Sequence, residues 1–233
     1  MTVRLRPLVI SANFGDAAAV ESICEPLVAA SRGARPTSEA QSHCDDLRCP
    51  FCGMPSGRWQ NFVASACRSY DGVADCVLCF LCCHLERPRI DEEAALVWLP
   101  EMSQPALNVT MREIHMQLRA LGEDLHEAGR RHLDTPERRR LYYARSALCA
   151  RAAAAASRLG TDRPSELAGA LCRLSPAAHA NRAKLLDGVR LLPLGRVYAG
   201  NKDVYPEIVD SWREISQPSA VSALVGPALP SGA

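Results

Sequence analysis

The sequence predicts an α+β chain in which a small cysteine-held module precedes a mostly α-helical region. Three observations carry that expectation. Two closely spaced cysteine groups, Cys49-Pro-Phe-Cys52 and Cys76-Val-Leu-Cys79-Phe-Leu-Cys82-Cys83, are separated by residues 53–75. A short β-prone run, Ala95-Leu-Val-Trp-Leu99, ends at Pro100. From Ser103 onward the apolar residues recur at alternating steps of four and three, the period of one helix face.

Taken in order, residues 1–47 form a lead-in with one helix expected over Asp16–Ser31, closed by Gly33 and Pro36. Residues 48–102 hold the cysteine module, with a strand expected over Trp59–Val63 and a short helix over Cys76–Leu85 that returns the second cysteine pair to the first. In the third region, 103–215, Ser103 is an N-cap with Pro105 in the first turn. Leu107, Met111, Ile114, Leu118, Leu121 and Leu125 make one stripe on a long helix. Thr135-Pro136-Glu137 starts a second helix that runs to about Arg158. Shorter helices are expected over Pro164–Leu174, Pro176–Asp187 (closed by Gly188) and Val204–Ile215. Residues 216–233, rich in Pro, Ser, Ala and Gly, are expected to be a disordered tail.

Composition narrows the function classes. The 233 residues are 48% apolar with a net charge of +1, enough to bury one sizeable core. Eleven cysteines is an odd number, and at least four stand at metal spacing, which argues for a reducing compartment over a disulfide framework. Cys24, Cys44, Cys67, Cys149 and Cys172 are then expected to be free thiols. The N-terminal apolar run breaks at Ser11, Asn13 and Asp16, too early for a signal peptide, and no run of about 18 apolar residues occurs. A cytoplasmic chain is expected, reaching a membrane only through partners.

Two residues between cysteines let a tight turn aim both sulfurs at one ion, and two such turns complete a tetrahedron. The ligands expected for a structural Zn2+ are Cys49, Cys52, Cys76 and Cys79. Cys82 is the alternative, because Cys79-Phe-Leu-Cys82 reads as an overlapping pair. Four thiolates close the shell and leave no position for a reacting water.

A ββα module with two cysteine knuckles is also the frame of HNH nucleases, which use a histidine between the knuckles as general base. Residues 53–75 contain no histidine, and Asn61 and Asp71 cannot replace an imidazole. His84, beside Cys83, reads as structural, with a metal ligand or a cap of the short helix as its alternatives. Nucleic-acid binding is not expected either. From Arg48 to Glu93, Arg48, Arg58, Arg68, Arg87 and Arg89 are balanced by Asp71, Asp75, Glu86, Asp91, Glu92 and Glu93. Eight arginines instead cluster between Arg130 and Arg158, against Asp134 and Glu137. Within that cluster Arg138, Arg139 and Arg140 stand beside Tyr142 and Tyr143, an interface-anchor composition that makes these five the candidate partner-binding residues; a solvated helix face is the alternative.

Cys49-Pro-Phe-Cys52-Gly53, the Asp75–Cys82 run, Leu96-Val-Trp-Leu-Pro-Glu-Met-Ser-Gln104 with Leu107-Asn108, and Val189-Arg-Leu-Leu-Pro193 together resemble the DotN/IcmJ family of type IVB (Dot/Icm) secretion systems, over roughly residues 48–215. The resemblance implies an HNH-like zinc fold without its catalytic histidine. It also implies a non-enzymatic subunit of the coupling complex, one that binds the cytoplasmic C-terminal tail of the coupling ATPase at the inner membrane, joins other coupling-complex subunits and helps assemble the platform that recruits effectors. Cys49, Cys52, Cys76 and Cys79 match the family's metal-binding motif, whereas Cys83 stands where the family tends to carry an aromatic residue. The reading from another class is a zinc-dependent nucleic-acid-binding or HNH nuclease-like protein.

Overall fold

The computed structural model describes residues 5–12, 48–55, 75–126 and 133–216. The helix expected over Asp16–Ser31, the strand over Trp59–Val63, the tail after Ser216, and Cys24, Cys44 and Cys67 lie outside these residues. In chain order the described elements are α1 (Val77–Cys83), α2 (Ile90–Glu93), β1 (Ala94–Trp98), α3 (Gln104–Ala120), α4 (Pro136–Ala150), α5 (Ala152–Leu159), α6 (Pro164–Cys172), α7 (Pro176–Ala180), α8 (Arg182–Leu185), β2 (Val189–Pro193), β3 (Tyr198–Ala199), β4 (Lys202–Asp203) and α9 (Tyr205–Ser216). Mixed helix with small antiparallel sheets makes this an α+β fold, as the sequence predicts.

Helix starts follow their caps. The Ser103 side chain accepts from the Ala106 N–H with Pro105 in the first turn of α3, and Thr135 accepts from Arg138 N–H with Pro136 opening α4. Ser175 caps α7 the same way. The stripe Leu107, Met111, Ile114 and Leu118 is buried along α3, but the helix ends at Ala120 and Leu121 caps it, so Leu125 reaches the core from a turn. The single helix expected over residues 136–158 is two helices broken at Arg151. There the Arg151 carbonyl accepts both the helical Ala155 N–H at 3.3 Å and the Trp98 N–H of β1 at 3.2 Å, so the break serves a strand as well as a helix. The helix expected over Pro176–Asp187 is likewise two short pieces, α7 and α8, divided at Asn181.

β1 pairs antiparallel with β2, from Ala94 opposite Pro193 to Trp98 opposite Val189. Its other edge is closed by carbonyls: Leu96 N–H donates to Asp162 O at 2.8 Å and Trp98 N–H to Arg151 O. Strand β2 was not expected from the sequence, nor was the β3–β4 hairpin. Gly188, just before β2, has φ +80°, and a Cβ there would stand 2.6 Å from the Trp98 ring. A glycine is therefore required twice over, by its dihedral and by the indole against it.

One apolar core runs through the described residues. It joins Ile10, Cys49, α1, β1, β2, the α3 stripe and Tyr205, Ile208, Val209 and Trp212 of α9. The cysteine segment and the helices after Ser103 thus bury their apolar faces against each other. A buried ion pair fastens α2 to β3: Glu93, with no exposed surface, accepts from Arg87 Nε at 2.7 Å and Nη2 at 2.6 Å, and from the Tyr198 backbone N–H at 2.7 Å.

Candidate metal centre

The first cysteine pair sits in a tight turn. Gly53 N–H donates to Cys49 O at 2.8 Å and Cys49 N–H to Met54 O at 2.9 Å, while Arg48 and Pro55 form an isolated antiparallel bridge around the loop. Gly53 holds φ +72°, which closes the turn behind Cys52. The second pair is set by α1: Cys76 is its N-cap residue and Cys79 lies one turn on, so both sulfurs leave the same side of the helix. Residues 5–12 clasp the two halves. Arg6 N–H donates to Pro50 O, Ser11 N–H to Cys82 O and Leu85 N–H to Ser11 O.

This brings Cys49, Cys52, Cys76 and Cys79 together, with every sulfur within 4.8 Å of the others. The Cys52 and Cys76 sulfurs are 3.6 Å apart. A tetrahedral shell of metal–sulfur bonds of about 2.3 Å has edges of about 3.8 Å, so the Cys52–Cys76 separation fits such an edge and the group is compact enough for one ion. All four cysteines are free of disulfides. Cys49, Cys76 and Cys79 are buried and Cys52 is half-buried.

Electrostatics favour a cation here. Hydrogen bonds from Cys52, Cys76 and Cys79 hold the Cys49 thiol far below the ordinary range. Its partners Cys76 and Cys79 are pushed up, first by their hydrogen bonds to Cys49 and then by Cys52 and burial. Four sulfurs this close cannot all ionise alone, because each thiolate raises the next. A bound cation relieves that repulsion, which is the ordinary basis of thiolate–metal affinity. Beside them Asp75, nine-tenths or more covered, has its carboxyl pushed up to about 7 by burial and by the Cys49 charge.

Cys82 stands outside this group. It is fully buried, and its thiol donates to Leu78 O at 3.2 Å. Cys83 is half-buried with its thiol pushed up to about 12 by burial. His84 is not a member of the sulfur group; its Nδ1 lies 2.8 Å from Glu86 Oε1 and its ring 4.2 Å from Phe80. Cys149 and Cys172 are free thiols.

The sequence reading missed two residues of α3 that face the centre. Asn108 Nδ2 donates to Cys79 Sγ at 3.4 Å, with a longer contact to Cys82 Sγ at 3.8 Å. Its own position is fixed by Gln104, whose Nε2 donates to Asn108 Oδ1 and Leu191 O while its Oε1 accepts from Leu191 N–H, all at 2.8 Å. One turn further along, Arg112 donates from Nη1 to Pro55 O at 2.6 Å, on the loop that carries the first cysteine pair. The signal available in the sequence was the four-residue spacing of Gln104, Asn108 and Arg112, beside the apolar stripe.

The candidate partner-binding residues lie on α4 and divide. Arg138 is engaged by Asp134, Glu123 and Leu121 O, and Arg139 donates to Leu133 O. Arg140 and Tyr143 are exposed, and half-buried Tyr142 meets Tyr143 edge-on at 5.4 Å. Among the described residues no helix is long and apolar enough to cross a membrane. No protein-family model matches the chain, and no curated protein matches it.

Proposed function

We propose that this chain is a non-catalytic assembly subunit built around a structural Zn2+, and that it serves in a type IVB coupling complex as its resemblance to the DotN/IcmJ family implies. The observation that carries the first part is the four-cysteine cluster: four sulfurs within 4.8 Å of one another, three of them on buried residues, with Asn108 of α3 donating to Cys79. Such a shell contributes folding free energy and leaves the ion little Lewis acidity. The HNH-like ββα frame belongs to the same proposal, with α1 as its helix. No histidine lies between the knuckles to act as general base.

In this reading the partner is the cytoplasmic C-terminal tail of the coupling ATPase, together with other coupling-complex subunits, and the membrane is reached only through them. The exposed Arg140 and Tyr143 of α4 fit an acidic stretch of such a tail. The test is co-expression of the tail with the full chain. A 1:1 complex by size-exclusion chromatography, with an interface of about 1,200–2,000 Å², is expected. Double replacement of Arg139 and Arg140 should weaken it in a salt-dependent way if α4 is the contact. Absence of a complex with any cytoplasmic segment of the coupling ATPase overturns the assembly reading. Cleavage of plasmid DNA or RNA by the purified chain with magnesium or manganese overturns the non-catalytic one.

A further inference from the structure

Arg112 occupies a place that its local partners do not explain. Its side chain is 2% exposed, yet it forms no ion pair with any carboxylate of the described residues. Its Nη1 is used by Pro55 O, while Nε and Nη2 are buried without a hydrogen-bond partner. The guanidinium lies 4.6 Å from the ring of Trp212, which offers a weak cation–π contact. A buried cation with two idle donors costs several kcal/mol unless an anion faces it.

A divalent ion in four thiolates leaves a net charge of about −2, and this charge is embedded in an apolar core where it needs compensation. α3 presents two groups to it from one face: the Asn108 N–H on the Cys79 sulfur, and the Arg112 cation beside the loop of the first cysteine pair. We propose that Arg112 is the built-in counter-charge of the four-cysteine centre, coupling metal occupancy to the seating of α3 on the first cysteine loop. This rests on the metal reading above. Arg112 acts through the ligand sulfurs and is a positioning residue. Groups that orient or polarise metal ligands from outside the shell typically alter affinity by about 10–100-fold.

The experiment compares the full-length wild type with Arg112→Gln, which keeps a donor for Pro55 O but removes the charge, and Arg112→Lys, which keeps the charge. Metal affinity is measured by competition with a chromophoric chelator, and the acid midpoint of metal release by titration. Arg112→Gln is expected to lose about 10–100-fold in affinity and to release metal about half a pH unit higher, because protons displace a more weakly held ion sooner. Arg112→Lys should stay within about threefold of wild type. In cobalt-loaded protein the sulfur-to-metal charge-transfer band should shift in the Gln variant and not in the Lys variant. Equal losses in both variants, or a Gln variant that holds metal as wild type does, overturn the counter-charge role alone. If the Gln variant is insoluble, the Lys variant decides: near-wild-type affinity supports the role and a tenfold or greater loss overturns it. A wild-type chain that binds no metal overturns this proposal and the metal reading together.

Discussion

Replacement of Glu93 by alanine is expected to be among the most damaging single changes in the chain. The carboxylate has no exposed surface and accepts three hydrogen bonds, two from Arg87 and one from the Tyr198 N–H. Removing it takes away the carboxylate that Arg87, itself 8% exposed, engages through Nε and Nη2, while its contact with Tyr198 O at 3.0 Å stays. Breaking a buried pair from one side costs about 3–5 kcal/mol, and the orphaned Tyr198 N–H adds about 1 kcal/mol. A loss of about 4–6 kcal/mol would consume much of a typical stability of about 5–15 kcal/mol. The assay is urea unfolding followed by circular dichroism and by tryptophan fluorescence. The double variant Arg87→Met/Glu93→Leu should recover at least half of the loss, since it removes the charge along with its partner. A Glu93→Ala cost below about 1 kcal/mol, or a double variant no better than the single, would refute the argument that this pair fastens α2 to the β3–β4 hairpin.

Three further outcomes are expected. Cys79→Ser should lose bound metal while Cys82→Ser keeps it, read by metal analysis of purified protein; the reverse would move the fourth ligand to Cys82. The buried imidazole of His115, 2.7 Å from the Tyr205 hydroxyl, has its pKa lowered to about 3 by burial and by Arg145. The folded state therefore resists a proton that the unfolded chain accepts near 6.5: this stability is whole above pH 6.5 and falls as pH drops toward 3, by about 1.4 kcal/mol per unit. Between pH 6.5 and 4.5 wild type should lose about 2–3 kcal/mol more than His115→Gln, and parallel urea-derived profiles would contradict this. Gly188→Ala should cost about 2–3 kcal/mol, whereas Gly160→Ala, at the same φ of +80° but with nothing within 4 Å of its added Cβ, should cost about 1 kcal/mol in the same denaturation assay. Equal costs would show that the Trp98 ring yields freely.

The parts of the fold that local chemistry specifies were legible in the sequence. Ser103 and Thr135 announce their helices because a hydroxyl before a proline-containing first turn satisfies N–H groups that nothing else nearby can. The Cys-x-x-Cys spacings likewise brought out all four members of the sulfur cluster. What stayed hidden depends on distant partners. Val189–Pro193 is five residues long and proline-ended, and becomes a strand only because Ala94–Trp98 offers it a ladder. The break at Arg151 is invisible in a tract of helix-forming residues, since Trp98 supplies the competing donor. Asn108, Arg112 and His115 read as the polar side of α3, yet all three are buried, because α9 and the cysteine loop cover a wider face than the apolar stripe alone.

The long separation between β1 and β2 has a consequence for synthesis. Trp98 pairs with Val189, so the earlier strand leaves the ribosome while its mate is still untranslated. At about 5–20 residues per second the nascent chain carries an unmated Leu96-Val97 ridge for on the order of 5–20 s. The carbonyls of Arg151 and Asp162, which close the other edge, arrive earlier and can shield that side first. A stalled product ending before Val189 would keep the β2-facing edge of β1 without its ladder, so the strand is completed only once residues 189–193 have been translated.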